Sequence, residues 1–316
     1  MVDLSARIGK MKIDPALMNA SGIFSHLDIL RKFSNYFGAS VTKSIGIEPR
    51  AGFMEPIEYH DDIMNLNAVG LSNPGYKEMI TELEENRPFP NKVICDIFGG
   101  TEDELVEIAT GLEKYCSGFE LNFGCPNLRK GEKHGMIIGK DPELVRRYTK
   151  AVTDNVKKPV IVKLTPNVDS IDKMIETAQA AEGAEADAIG VINTVYPGMK
   201  IDIHARKPVL TNKFGGVSGP AVKPIGVAYT YALYENLKIP IIGIGGIRLS
   251  TPEDFIEYAE AGAVAGGIGT YFVNKSTEKS IAELKEFKTK VKETIKDLGF
   301  SSLKDLVGAA HESQAT

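Results

Sequence analysis

Short apolar runs alternate with amphipathic stretches along the whole chain. Eight of the runs read as strands: 16–21 (ALMNAS), 38–44 (GASVTKS), 92–98 (KVICDIF), 117–123 (SGFELNF), 159–165 (PVIVKLT), 186–194 (ADAIGVINT), 240–246 (PIIGIGG) and 263–269 (AVAGGIG). They are nearly continuous in hydrophobicity, the pattern of parallel strands covered on both faces. The stretches between them carry helix-start signals. Thr101 with Glu104 fits a capping box, Asp141 before Pro142 sets a cap ahead of a first-turn proline, and Thr251 before Pro252 repeats that logic. Near the end, Ile281, Leu284, Phe287, Val291, Ile295 and Leu298 fall on one helical stripe with lysines opposite.

About eight strand–helix alternations in 316 residues predict an α/β fold, a single-domain (β/α)8 TIM barrel. The domain is expected to span 1–316, with a short tail after about residue 310, and no Gly/Pro/Ser-rich linker divides it. Three connections are long, 45–73, 124–141 and 195–219. All follow candidate strands, so they belong at the carboxyl face, where barrel enzymes place their chemistry.

Composition narrows the class of function. Three cysteines (Cys95, Cys116, Cys125) make no paired framework and have the wrong spacing for a zinc site or a cluster, and the five histidines form no HxH or HExxH pattern. No metal site is expected, and the thiols suit a reducing compartment. A formal net charge of −5 and the absence of a basic, aromatic-laced run argue against nucleic acid. The segment MVDLSARIGKMKIDP is charged and lacks an apolar core, and no apolar run approaches the ~18 residues of a membrane span, so a cytoplasmic location is expected.

Candidate chemistry gathers at the strand ends. Gly243-Ile244-Gly245-Gly246, Gly266-Gly267-Ile268-Gly269-Thr270 and Gly215-Gly216-Val217-Ser218-Gly219 predict backbone N–H groups closing around a phosphate, against the simpler reading of turns and close packing. Lys43 and Lys163 end apolar strands, where a buried ammonium needs a partner: a ligand's anionic edge, or an acid such as Asp96 or Glu120. Asn67, Asn122, Asn127 and Asn193 offer paired donors and acceptors to a planar polar ring. Cys125 follows a strand in a loop rich in Lys, Arg and Gly, surroundings that lower a thiol's pKa and suit a base or nucleophile. His134 is a second acid–base candidate, while Cys95 reads as strand filler and Cys116 as a helix-end residue.

The motifs NASG (19–22), TKS (42–44), LNAVGLSNPG (66–75), ELNFGCPN (120–127), VKLTPNV (162–168), INT (192–194), GGVSGPAVKP (215–224) and GIGGI (243–247) resemble those of the FMN-dependent dihydroorotate dehydrogenases, from about residue 4 to 310. The resemblance implies a barrel with FMN at its mouth, oxidising (S)-dihydroorotate to orotate in pyrimidine biosynthesis. Cys125 is then the base that removes the C5 proton while the C6 hydride passes to flavin N5. Lys43, Asn67, Leu71, Asn122, Asn127, Asn193 and Thr194 would hold the substrate. Ala20, Ser21, Gly22, Lys43, Ser44, Asn122, Lys163 and Val191 would line the flavin, with Gly219, Gly245, Gly246, Gly269 and Thr270 around its phosphate end.

The segment NLRKGEKHG and the stretch from Gly198 to Pro224 look most like class 1B, whose catalytic subunit forms a homodimer core and pairs with an FAD and iron–sulfur subunit in a heterotetramer. Two positions depart from the family's pattern: Gly124 replaces a serine common before the cysteine, and Asp96 stands where asparagine is usual. Two other readings compete. One is a flavin enzyme that reduces uracil or thymine, like dihydropyrimidine dehydrogenase; the other is a non-catalytic barrel that binds a phosphorylated ligand.

Overall fold

Every one of the eight apolar runs folds as a barrel strand: β1 Leu17–Asn19, β2 Ala39–Val41, β3 Lys92–Ile97, β4 Gly118–Phe123, β5 Val160–Leu164, β6 Ala188–Val191, β7 Ile241–Ile244 and β8 Ala263–Ile268. The computed structural model describes residues 2–312, so most of the expected tail lies outside the described residues. The strands are hydrogen-bonded in sequence order and close upon themselves, each pair parallel. Both faces of each strand are buried, which is why the runs carry no polar alternation.

Eight helices follow the strands, from Leu27–Phe33 after β1 to Thr277–Asp297 after β8. The Thr101 hydroxyl caps its helix by accepting from Glu104 N, while the Glu104 carboxylate reaches back to Gly100 N. Asp141 accepts from both Glu143 N and Leu144 N. The Thr251 expectation fails: Pro252 occupies the cap position without a side-chain bond, and Thr251 uses its carbonyl to accept from Asp254 N. In the last helix the buried stripe is Leu284, Phe287, Val291 and Ile295, and Leu298 turns out to solvent just past its end.

Two features have no counterpart in the sequence reading. A hairpin of Ala6–Ile8 and Met11–Ile13 covers the amino-terminal ends of the strands, where a Cβ on Gly9 would strike Asp187 and Met11 reaches Gly118. At the opposite end, two of the long connections build a four-stranded antiparallel sheet across the mouth. Its order is Val195–Gly198, Gly215–Ser218, Asn65–Asn67, Glu58–His60, and it rests on a small core of its own, Leu66, Ala68 and Leu210. Among the described residues no helix is long and apolar enough to cross a membrane.

Candidate active site

A cleft of about 760 Å³ opens at the carboxyl ends of the strands, beneath the mouth sheet. β1 delivers Ala20, Ser21 and Gly22 to it; β2, Lys43 and Ser44; β4 and its loop, Asn122, Cys125 and Asn127. Lys163 arrives on β5, Asn193 and Thr194 after β6, Gly245 and Gly246 after β7, and Gly269 and Thr270 after β8. The mouth segments add Asn67, Leu71 and Gly219. Of the substrate- and flavin-site residues that the family resemblance implied, Val191 alone does not line the cleft. Successive side chains of a strand face opposite ways, so Val191 is sealed in the core and its neighbour Ile192 faces the cleft.

The four asparagines converge as two contacting pairs. Asn193 Nδ2 donates to Asn122 Oδ1 at 3.3 Å, and Asn127 Nδ2 donates to the Asn67 carbonyl at 3.1 Å. Two buried acceptors in this group, Asn127 Oδ1 and Thr194 Oγ1, have no protein partner. A buried polar atom without a partner is costly, so these two mark where a polar ligand completes the wall.

The two lysines differ. Lys43 Nζ donates to Ser72 Oγ at 2.8 Å, and burial without a counter-charge lowers its pKa. Lys163 is salt-bridged to Glu120 at 3.1 Å with both groups sealed from solvent, so the acid-partner reading of its strand position holds while the ammonium still reaches the cleft. Burial opposes its charge, but the acidic surroundings, Glu120 first among them, outweigh burial and raise its pKa.

Cys125 corrects an expectation. Its loop is basic in composition, yet burial of the thiol pushes its pKa up to about 11, only partly offset by the Asn127 amide and Arg50. The cations around the loop are largely engaged elsewhere. Arg129 is tied to the Gly52 carbonyl, Lys130 and Lys133 are exposed, and Arg50 pairs with Glu132. The thiol is positioned through its backbone: Asn122 Oδ1 accepts from both Gly124 N and Cys125 N. His134 is not in the cleft; it is buried against Phe98, 3.4 Å from Glu132, and burial lowers its pKa.

The glycine-rich segments divide between the two readings. Gly219, Gly245 and Gly246 have positive φ and line the cleft. At Gly246 a Cβ would press on Lys223 and on the Gly219 carbonyl, so a side chain would fill the cradle. Thr270 Oγ1 donates to Ser218 Oγ at 2.8 Å, closing the same end. Gly215 and Gly216 instead sit inside the mouth sheet, and Gly243 and Gly266 let strands approach Tyr258 and Phe255. Those are packing glycines.

Comparison with known proteins places the chain in one family. The chain matches the family model described as dihydroorotate dehydrogenase over residues 3–288. It is 44% identical to the dihydroorotate dehydrogenase B (NAD(+)) catalytic subunit of Pyrococcus furiosus, over 94% of this chain and 95% of that one. The proteins of the same name from Thermococcus kodakarensis and Thermoplasma acidophilum are 43% and 41% identical, each over 98% of this chain and 98% or more of their own. The chain belongs to the dihydroorotate dehydrogenase family.

Within the dihydroorotate dehydrogenase barrel, several cleft residues lie outside the sequence reading. Ser72 holds Lys43, and the hydroxyl of Ser218, read from the sequence only as part of a glycine-rich run, accepts from Thr270. Arg248 lines the glycine end, clamped on buried Asp254 through Nε at 2.7 Å and a second guanidinium nitrogen at 3.0 Å. A serine in a loop carries no periodic signal, and Arg248 gains meaning only once Asp254, six residues on, folds back beside it. The departure at Gly124 has a steric cause: a Cβ there would lie 2.4 Å from Asn193 Cβ.

Proposed function

We propose that this chain is the catalytic subunit of a class 1B dihydroorotate dehydrogenase, oxidising (S)-dihydroorotate to orotate in pyrimidine biosynthesis. The observation that carries the reading is the meeting of one thiol, two strand-end lysines and four asparagines in a single cleft whose far end is a glycine cradle.

The residues present fit FMN. The positive-φ glycines with Thr270 and Ser218 leave room for the phosphate end, and Lys43 and Lys163 set cationic groups along a ring site. When bound, FMN supplies the acceptor for the hydride from substrate C6. Asn67, Asn127 and Thr194 bind one edge of the pyrimidine and Asn122 and Asn193 another, with Leu71 packing beside them. Lys43 pairs with the substrate's carboxylate region as well as the flavin, which restores the counter-charge it lacks. Cys125 Sγ, as thiolate, takes the C5 proton and keeps it as a neutral thiol, a form the buried loop favours.

Electrons leave through a second subunit. The relatives are named as NAD(+)-dependent catalytic subunits, which supports a partner carrying FAD and an iron–sulfur cluster around a homodimer of this chain in the cytoplasm.

The purified protein is expected to be yellow and to bleach anaerobically with dihydroorotate but not with dihydrouracil. In Cys125→Ala, bound FMN is retained and flavin reduction slows about 10²–10⁴-fold, the usual worth of a positioned base. Stopped-flow absorbance measures it, and unchanged reduction kinetics would remove Cys125 from the role.

A further inference from the structure

Three ionisable side chains stand side by side inside the barrel, and the reaction above uses only one of them. Asp96 on β3 and Glu120 on β4 are register partners in neighbouring parallel strands. Glu120 lies one pleat deeper than Asn122, which is itself the register partner of Lys163 on β5. All three are sealed: relative exposure is 0% for Asp96, 1% for Glu120 and 4% for Lys163.

Counting charges exposes a conflict. Two carboxylates and one ammonium, all ionised, would leave one net negative charge in the closed core, which protein interiors tolerate poorly. The bonding is uneven as well. Glu120 has the Lys163 ammonium at 3.1 Å, whereas the hydrogen-bonding partners of Asp96 are neutral: the Asn122 amide, which donates to Oδ1 at 3.3 Å, and the Ser44 hydroxyl. Asp96 Oδ2 has no well-formed hydrogen bond among the described residues. Lys163 also acts on Asp96 through its charge but forms its ion pair with Glu120; the remaining groups near Asp96 are the Ser44 hydroxyl and the Cys95 and Cys125 thiols, none of them a cation. Two carboxylate oxygens cannot donate to each other. One proton between them cures both the charge and the missing bond.

We propose that Asp96 is held as a neutral carboxylic acid donating its proton to Glu120, so that Asp96, Glu120 and Lys163 form a row of zero net charge with Asp96 as a positioning residue for Lys163. The proton sits on Asp96 because Glu120, not Asp96, has the ammonium as counter-ion. Burial, then the charge of Glu120, also drives the Asp96 pKa well above the usual carboxylate range. By bonding Glu120, Asp96 fixes the carboxylate against which Lys163 is aimed. Being neutral, it adds no second negative charge beside the cleft. That last consequence rests on the flavin reading; the protonation itself does not.

Infrared spectroscopy of the ligand-free protein at neutral pH tests the protonation. The expected result is a protonated-carboxyl C=O band that shifts down in D₂O, moves when aspartate carries ¹³C in its side-chain carboxyl, and is lost in Asp96→Asn. No such band, or a band that moves only with ¹³C-labelled glutamate, overturns the proposal. In the FMN-loaded protein, Asp96→Asn exchanges one neutral donor for another, so the flavin midpoint potential stays at the wild-type value. A positive shift would show that a negative charge had been removed, and would also overturn it. Failure to bind FMN or to oxidise dihydroorotate would instead defeat the proposed function and leave the infrared result standing.

Discussion

At Gly124 and Cys125 the chemistry and the packing compete for the same few ångströms. Glycine lets Asn193 close on the loop, and Asn122 then holds two successive N–H groups through one oxygen. Gly124→Ala is expected to push Asn193 out of place, raising KM for dihydroorotate about tenfold while FMN stays bound; steady-state kinetics beside flavin absorbance reads both. The thiol's ionisation makes a second prediction. Its pKa is pushed up to about 11, so the thiolate is the minor form at neutral pH. If proton removal by thiolate limits the reaction, kcat/KM climbs roughly tenfold per pH unit between about pH 6 and about pH 9, because that parameter reports the free protein's ionisations. A flat profile would mean the thiolate is not the working form. The position of Cys125 was legible in the sequence; its ionisation was not, since composition cannot tell where Arg50, Arg129, Lys130 and Lys133 spend their charge.

Among elements, the barrel strands were legible because each must be apolar on both faces, and eight such runs separated by capped amphipathic stretches leave few other architectures. The mouth sheet was not. Its strands are three or four residues long, are only partly covered, and include polar segments such as Glu58–His60. They find their partners far along the chain, with Asn67 opposite Gly216. Local pattern holds no trace of such a pairing. The same distance hid the work of Gly215 and Gly216, which read as phosphate donors until their neighbours Leu210 and Thr194 were in place. Side-chain convergence was likewise out of reach: four asparagines on three separate segments could be named, but not paired.

Across the whole molecule, two kinds of cohesion coexist. The barrel and its helices share one continuous apolar core, while the mouth sheet has a core of only three buried residues with Phe53, Tyr59 and Val217 around them, and touches the main core through Val195 and Val217. A layer held by so little apolar contact opens more readily than the body beneath it. Amide hydrogen exchange at Leu66, Gly216 and Val217 is therefore expected to run faster than at Ile161 or Ile189 of the barrel, and to slow when substrate occupies the cleft. Equal protection in both layers would contradict this. The two halves of the sheet come from the connections after β2 and β6, on opposite sides of the rim, so the expected exchange pattern is that of a visor over a cup: small molecules would pass where the halves part, with the cup beneath unchanged.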